Sequence, residues 1–390
     1  MSKIETAYLR LCTLGVLKNL HKTKLFENFF AYVETKEKAQ KLKAYGAFVN
    51  DIYENGGNLA VYARKILFEN ENVYVKGIAK KQEISNGILE TLMQELDSLT
   101  LFSSLEPDDF KADMNEQSFI PMYETQSVDF KSEYLDRAKN IEKYGYGIFA
   151  SHCMFSVDDN GEIHVIESAD KISLDKFVGY ENERQKVLDN TIAFIEGRPC
   201  ANILLYGDAG TGKSSSVKAV ANHFFDSGIR LIEIRKNQLL LLPRVMAEIS
   251  KNPLKFIIFI DDLSFNKNDD NFSMLKATLE GSASVKTKNA VIYATSNRRH
   301  IVKETFNDRE GSDVHRNDTI QETLSLSERF GLTILFAKPE KKLYLEIVHE
   351  LAIRNGIEIT SELDTKAEAF ALNRGYRSAR CAEQFIDSLL

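Results

Sequence analysis

No proline occurs between residues 4 and 105 of the 390-residue chain, so the strongest helix breaker is missing from that whole stretch. Cysteine is scarce. Cys12, Cys153, Cys200 and Cys381 are scattered without a CxxC pair or ligand-like spacing, which argues against a disulfide framework and against a zinc site. No run reaches the roughly 18 apolar residues of a spanning helix, and no charged-then-apolar leader opens the chain, so a soluble, cytoplasmic protein without a membrane partner is expected. Positive excess is missing too: 50 Lys and Arg face 57 Asp and Glu, for a net charge of -7. Nucleic acid held by bulk charge is therefore not expected. Nine acids and two lysines between Glu106 and Asp136 account for that entire deficit, leaving the rest of the chain neutral. The length fits two or three domains at about 150 residues each.

What is present divides along the chain. Through residues 1–105 apolar residues recur at helical spacing, as in Leu42, Tyr45, Val49, Ile52 and Ile88, Leu92, Leu96, Leu99, predicting an all-α N-terminal domain of five or six helices. Residues 106–170 read as an acidic linker, a short helix and a β-hairpin. The loop expectation covers 105–128, the helix 130–144, and Asp158-Asp159-Asn160-Gly161 supplies the hairpin turn. From 171 to 338 five short apolar runs alternate with amphipathic helices, predicting an α/β layer with a five-stranded, mainly parallel sheet. Residues 339–390 return to helices.

Gly207-Asp208-Ala209-Gly210-Thr211-Gly212-Lys213-Ser214 fits G-x-x-x-x-G-K-[ST], the Walker A pattern of a P-loop, placed between an apolar strand and a helix that continues through Ser215. Glycines let peptide N–H groups turn around phosphate oxygens, and the helix N-terminus adds its positive end. Lys213 can reach the β- and γ-phosphates of a nucleotide, and Ser214 can ligate Mg²⁺. The run Phe256-Ile257-Ile258-Phe259-Ile260-Asp261-Asp262 is a buried strand ending in two acids, the Walker B arrangement. Asp261 is the candidate metal-holding carboxylate, and Asp262 the candidate group that polarises attacking water. Asp is shorter than Glu by one bond of about 1.5 Å, so slow hydrolysis is expected. Asn266-Lys267-Asn268-Asp269 mimics the guanine-reading pattern of GTPases, but it lies one strand too early and no D-x-x-G switch precedes it.

These elements resemble the AAA+ ATPase superfamily, and the segment from Phe177 onward also resembles a bacterial AAA+ family catalogued as a domain of unknown function. The resemblance implies ATP and Mg²⁺ as ligands, a helical lid, and self-association into a ring or arc. It marks Phe177-Val178-Gly179-Tyr180 as the segment packing on adenine, with Val178 and Gly179 as binding residues. It marks Asn297, at the end of Ala294-Thr295-Ser296-Asn297, as sensor 1, with a helix cap as the alternative. Arg329, in Leu326-Ser327-Glu328-Arg329-Phe330-Gly331, becomes the arginine finger acting on a neighbouring subunit, or else an ion-pair partner of Glu328. Arg377 becomes sensor 2, with Arg380 as competitor. The Asn237-Gln238-Leu239-Leu240-Leu241-Leu242-Pro243 run lacks the aromatic pore loop of polypeptide-threading members.

The expected function is Mg²⁺-dependent ATP binding and hydrolysis by an oligomer, coupled to remodelling or release of a macromolecular partner held by the N-terminal domain, with an unidentified protein as the expected partner. An ATP-controlled assembly switch with slow turnover is the alternative. Replication initiation or helicase loading is the third reading, prompted by Ile260-Asp261-Asp262-Leu263-Ser264-Phe265 and the basic Arg298-Arg299-His300. It is weakened by the lack of a basic stripe and of a DNA-binding domain after the lid.

Overall fold

A computed structural model of the chain describes residues 1–114, 119–167, 172–264, 270–279, 288–297 and 328–390. The Asn266 to Asp269 tetrad, Phe265, Arg298 to His300, Leu326, Ser327 and the acid Glu116 lie outside the described residues. Two compact units are present: Met1–His152 with Lys251–Leu254, and Cys153–Ser250 with Lys255–Leu390. Among the described residues no helix is long and apolar enough to cross a membrane.

The first unit is helical. Its helices are α1 Lys3–Cys12, α2 Lys24–Glu34, α3 Lys38–Glu54, α4 Leu59–Glu69, α5 Val73–Ala79, α6 Asn86–Ser103, α7 Pro107–Met114, α8 Phe130–Lys139 and α9 Ile141–Tyr144. Side-chain oxygens start several of them: Ser2 accepts from the Glu5 amide, Asn58 from Val61, Asn72 from Tyr74 and Val75, and Ser85 from Ile88, each satisfying an amide the helix leaves unpaired. Aromatic edges and faces build the core, with Phe29 and Phe102 centred 4.9 Å apart and Tyr32 and Phe110 5.0 Å apart.

The acidic stretch departs from expectation. Instead of a surface loop, residues 107–114 form α7, with Pro107 opening it and Phe110 wholly buried. Pro107 suits a first helical position, and Asp108 and Asp109 complement the positive helix end. Asp113 accepts from the Tyr32 hydroxyl at 2.8 Å and from Lys41 Nζ at 2.7 Å. One well-placed phenylalanine therefore folds a segment whose charge reads as linker.

The second unit holds β1 Met154–Val157, β2 Ile163–Val165, β3 Ile203–Gly207, β4 Ile229–Glu233, β5 Lys255–Ile260, β6 Ala290–Ser296 and β7 Leu332–Phe336, in the spatial order β2-β1-β4-β5-β6-β3-β7. All neighbours run parallel except the β1–β2 hairpin. The five expected strands are the last five of that order, and β1 adds the hairpin to their edge through β4. β5 is buried along almost its whole length, as a strand covered on both faces must be. Helices α10 Glu181–Ile195, α11 Lys213–His223, α12 Leu242–Ile249 and α13 Asp270–Leu279 accompany the sheet. A lid follows, made of α14 Lys341–Arg354, α15 Ser361–Arg374 and α16 Ala379–Asp387, with Tyr344, Val348, Ala367, Cys381 and Phe385 in its core.

Candidate active site

Strand order assembles the site. β6 lies between β5 and β3, and the registers Ile260 with Ala294 and Tyr206 with Ser296 bring Asp261, Thr295, Asn297 and the glycine loop to one end of the sheet. Parallel sheets place their ligands at these carboxyl ends.

Two glycines let the loop take its shape. Gly207 has φ +134°, and a Cβ there would run into the Phe336 backbone carbonyl of β7. Gly210 has φ +76°; a Cβ would come within 2.9 Å of Ser378 Oγ, and its carbonyl accepts the Arg380 amide at 3.3 Å. Held between β7 and α16, the loop feeds into α11, whose N-terminus carries the positive end of the helix dipole. Lys213 is 5% exposed. Its ammonium donates to Gly207 O at 2.9 Å, Asp208 O at 2.6 Å and Asn297 Oδ1 at 3.2 Å. Burial pushes the Lys213 pKa down, while Asp208, Asp261 and Asp262 act against that shift.

The acids are fixed by hydroxyls and an amide. Ser214 Oγ donates to Asp261 Oδ1 at 2.5 Å, and Thr295 Oγ1 donates to the same oxygen. Thr295 Oγ1 also accepts the Asp262 amide at 3.0 Å, and Thr295 O accepts the Leu263 amide at 2.7 Å. These bonds hold Asp262 at φ +49°, a left-handed conformation that costs a non-glycine residue on the order of 1–3 kcal/mol. Asn297 Nδ2 donates to Asp262 Oδ1 at 2.8 Å. Asn297 thus links the Lys213 ammonium to the Asp262 carboxylate, while the helix it was expected to cap as an alternative lies outside the described residues.

A cleft of 380 Å³ opens beside these groups, with Lys213, Ser214, Ser215, Asp261, Asp262 and Asn297 among its polar lining. Phe177, Val178, Ile347 and Leu351 are among its apolar lining. The volume suits a small-molecule ligand. Ala209, Gly210, Thr211 and Gly212 also line it. Gly179, at φ +72°, packs against Leu343 of the lid. The Asp208 carboxylate accepts the Lys338 amide at 3.1 Å, tying the loop to the exit of β7. The oxygen donors of Ser214, Asp261 and Asp262 fit Mg²⁺, which takes few protein ligands and completes its shell with phosphate and water.

The two remaining expected arginines do not line this cleft. Arg377 lines a second one with Asp208, Ala209, Gly210 and Arg380, and its Nε and Nη2 make a bidentate pair with Glu368 at 3.0 and 2.8 Å. It precedes Ser378, the N-cap of α16, and faces α15, whereas Arg380 in the first turn of α16 lines the cleft. Arg329 lies half-buried ahead of β7 and does not line the cleft. Thr295 and Arg184 were not singled out from sequence. The only signal for Thr295 was a hydroxyl in an apolar strand. Arg184 carried none.

Residues 150–390 match the model of a family described as Protein of unknown function (DUF815). The chain belongs to this family. The matched region carries the glycine loop after β3, the paired acids after β5, the polar exit from β6 and the three C-terminal helices. Among solved structures it is similar to the Thermotoga maritima RuvB Holliday junction branch migration motor, at 16% identity and a TM-score of 0.32, with 56% of this chain and 72% of that chain covered. A threonine-to-valine form of the same RuvB is similar at 18% identity and a TM-score of 0.33, with the same coverage. A comparison with curated proteins finds no match.

Proposed function

We propose that the second unit binds ATP with Mg²⁺ and hydrolyses it within a ring or arc of chains, and that turnover remodels or releases a macromolecular partner of the first unit. The observation that carries this reading is the hydrogen-bonded series Lys213, Asn297, Asp262, with the Ser214–Asp261 pair beside it. Loop amides and the Lys213 ammonium bind the triphosphate, while Ser214 and Asp261 hold the metal. Bound Mg²⁺ supplies charge neutralisation at the phosphate oxygens. Asp262, oriented by Asn297 and by its own strained backbone, accepts the hydrogen bond of the attacking water. Arg329 serves the nucleotide of a neighbouring chain, where such a finger is worth about 10³–10⁵ in rate.

A second reading, the ATP-controlled assembly switch, is favoured by the segment after β4. Gln238 is buried there and donates to Val157 O at 3.0 Å and to Asp159 Oδ1 at 3.1 Å. The position expected of a gripping loop is thereby tied to the hairpin and carries no aromatic side chain. Asp262→Asn tests the common core of both readings: ATP binding is retained and turnover stops. Equal ATPase rates in variant and parent reject the assignment. Partner-stimulated steady turnover supports the motor, and a single turnover per assembly cycle supports the switch.

A further inference from the structure

Arg184, on α10, is 7% exposed and is among the residues that line the cleft. Its guanidinium rests 5.0 Å over the Phe177 ring, and Phe177 reaches to 3.8 Å of the position a Cβ would take on Gly212 of the phosphate loop. Among the described residues the guanidinium makes no hydrogen bond, and its ionic partner is Glu181, 3.7 Å away on an exposed side chain. A guanidinium carries five donors and cannot give up its charge, so leaving them unused at a buried position is costly. Burial accordingly pushes the Arg184 pKa down. Its nitrogens are not sealed from solvent. Phosphate already has the loop amides and the Lys213 ammonium for partners. Phe177, Val178, Ile347 and Leu351 give the same cleft apolar surface, which suits a base better than a phosphate.

We propose that Arg184 reads the nucleoside half of the ligand, donating from its place on the Phe177 ring to an acceptor ring nitrogen or carbonyl of the base. The assignment rests on the nucleotide-binding reading above and adds a determinant to it that touches no phosphate.

Calorimetry of the full chain with ATP and with inorganic tripolyphosphate, both with Mg²⁺, tests it in the parent, Arg184→Met and Arg184→Lys. Methionine keeps the stacking volume and removes the donors. The ATP Kd is expected to rise at least about tenfold in Arg184→Met, as for a charged hydrogen bond, with tripolyphosphate binding unchanged. Retained tripolyphosphate binding also shows that the variant's loop is folded. Arg184→Lys keeps the charge without the planar fork and is expected to recover only part of the loss. Unchanged ATP affinity in Arg184→Met overturns the assignment. Equal weakening of both ligands points to a phosphate contact and also overturns it, as does full recovery by lysine. A parent that binds neither ligand removes the nucleotide reading itself, an outcome distinct from these.

Discussion

Replacing Thr295 with valine keeps the volume and the β-branch but deletes one hydroxyl that does two things. It donates to Asp261 Oδ1 and accepts the Asp262 amide. Thr295 is 2% exposed, so water does not readily replace either bond. A hydrogen bond to a charged group is worth about 1.5–3 kcal/mol, and the Asp262 backbone at φ +49° loses one of its two restraints. If about 2–3 kcal/mol of this is felt in the transition state, kcat falls by about 30- to 150-fold. ATP affinity should change by less than about threefold, because Thr295 bonds neither the loop nor Lys213. Steady-state ATPase kinetics paired with calorimetry read both quantities, and Thr295→Ser should restore most of the rate. Turnover within about twofold of the parent, at an unaltered unfolding midpoint, refutes the positioning role. A loss of affinity as large as the loss of rate also refutes it, by placing Thr295 in support of the phosphate loop.

Gly207→Ala places a methyl against the Phe336 carbonyl at φ +134° and should cost at least about 2 kcal/mol of stability, read as a lower urea midpoint; an unchanged midpoint contradicts the packing described. Arg380→Ala should weaken ATP binding about tenfold, whereas Arg377→Ala should leave affinity intact and lower stability by about 1 kcal/mol through loss of the Glu368 pair; the reverse pattern in calorimetry and melting restores Arg377 to the site. Mixing Arg329→Ala subunits with Asp262→Asn subunits should recover part of the ATPase activity that each lacks alone, and failure in a well-mixed assembly counts against a finger acting between chains.

Much of the second unit could be read from sequence because its signals are local. A run such as Phe256 to Ile260 is apolar without alternation, as a strand buried on both faces requires. The phosphate loop is written in consecutive residues. What escaped depended on partners distant in the chain. The hairpin belongs to the main sheet because β1 pairs with β4, beginning with Met154 opposite Leu231, and no local pattern encodes that pairing. Phe110 turned an acidic stretch into a packed helix, an effect that charge counting hides. Arg377 and Arg380 look alike in sequence, yet the cap at Ser378 sends one to Glu368 and the other toward the cleft. Thr295 and Arg184 acquire meaning only from Asp261, Asp262 and Phe177, residues from other elements of the unit.

The central claim is that a triphosphate is held by the loop amides and the Lys213 ammonium. Titration of the folded chain with ATP in millimolar Mg²⁺ should show saturable heat, and folded Lys213→Ala should show none. Absence of heat in the parent, or the same Kd in both proteins, contradicts the account.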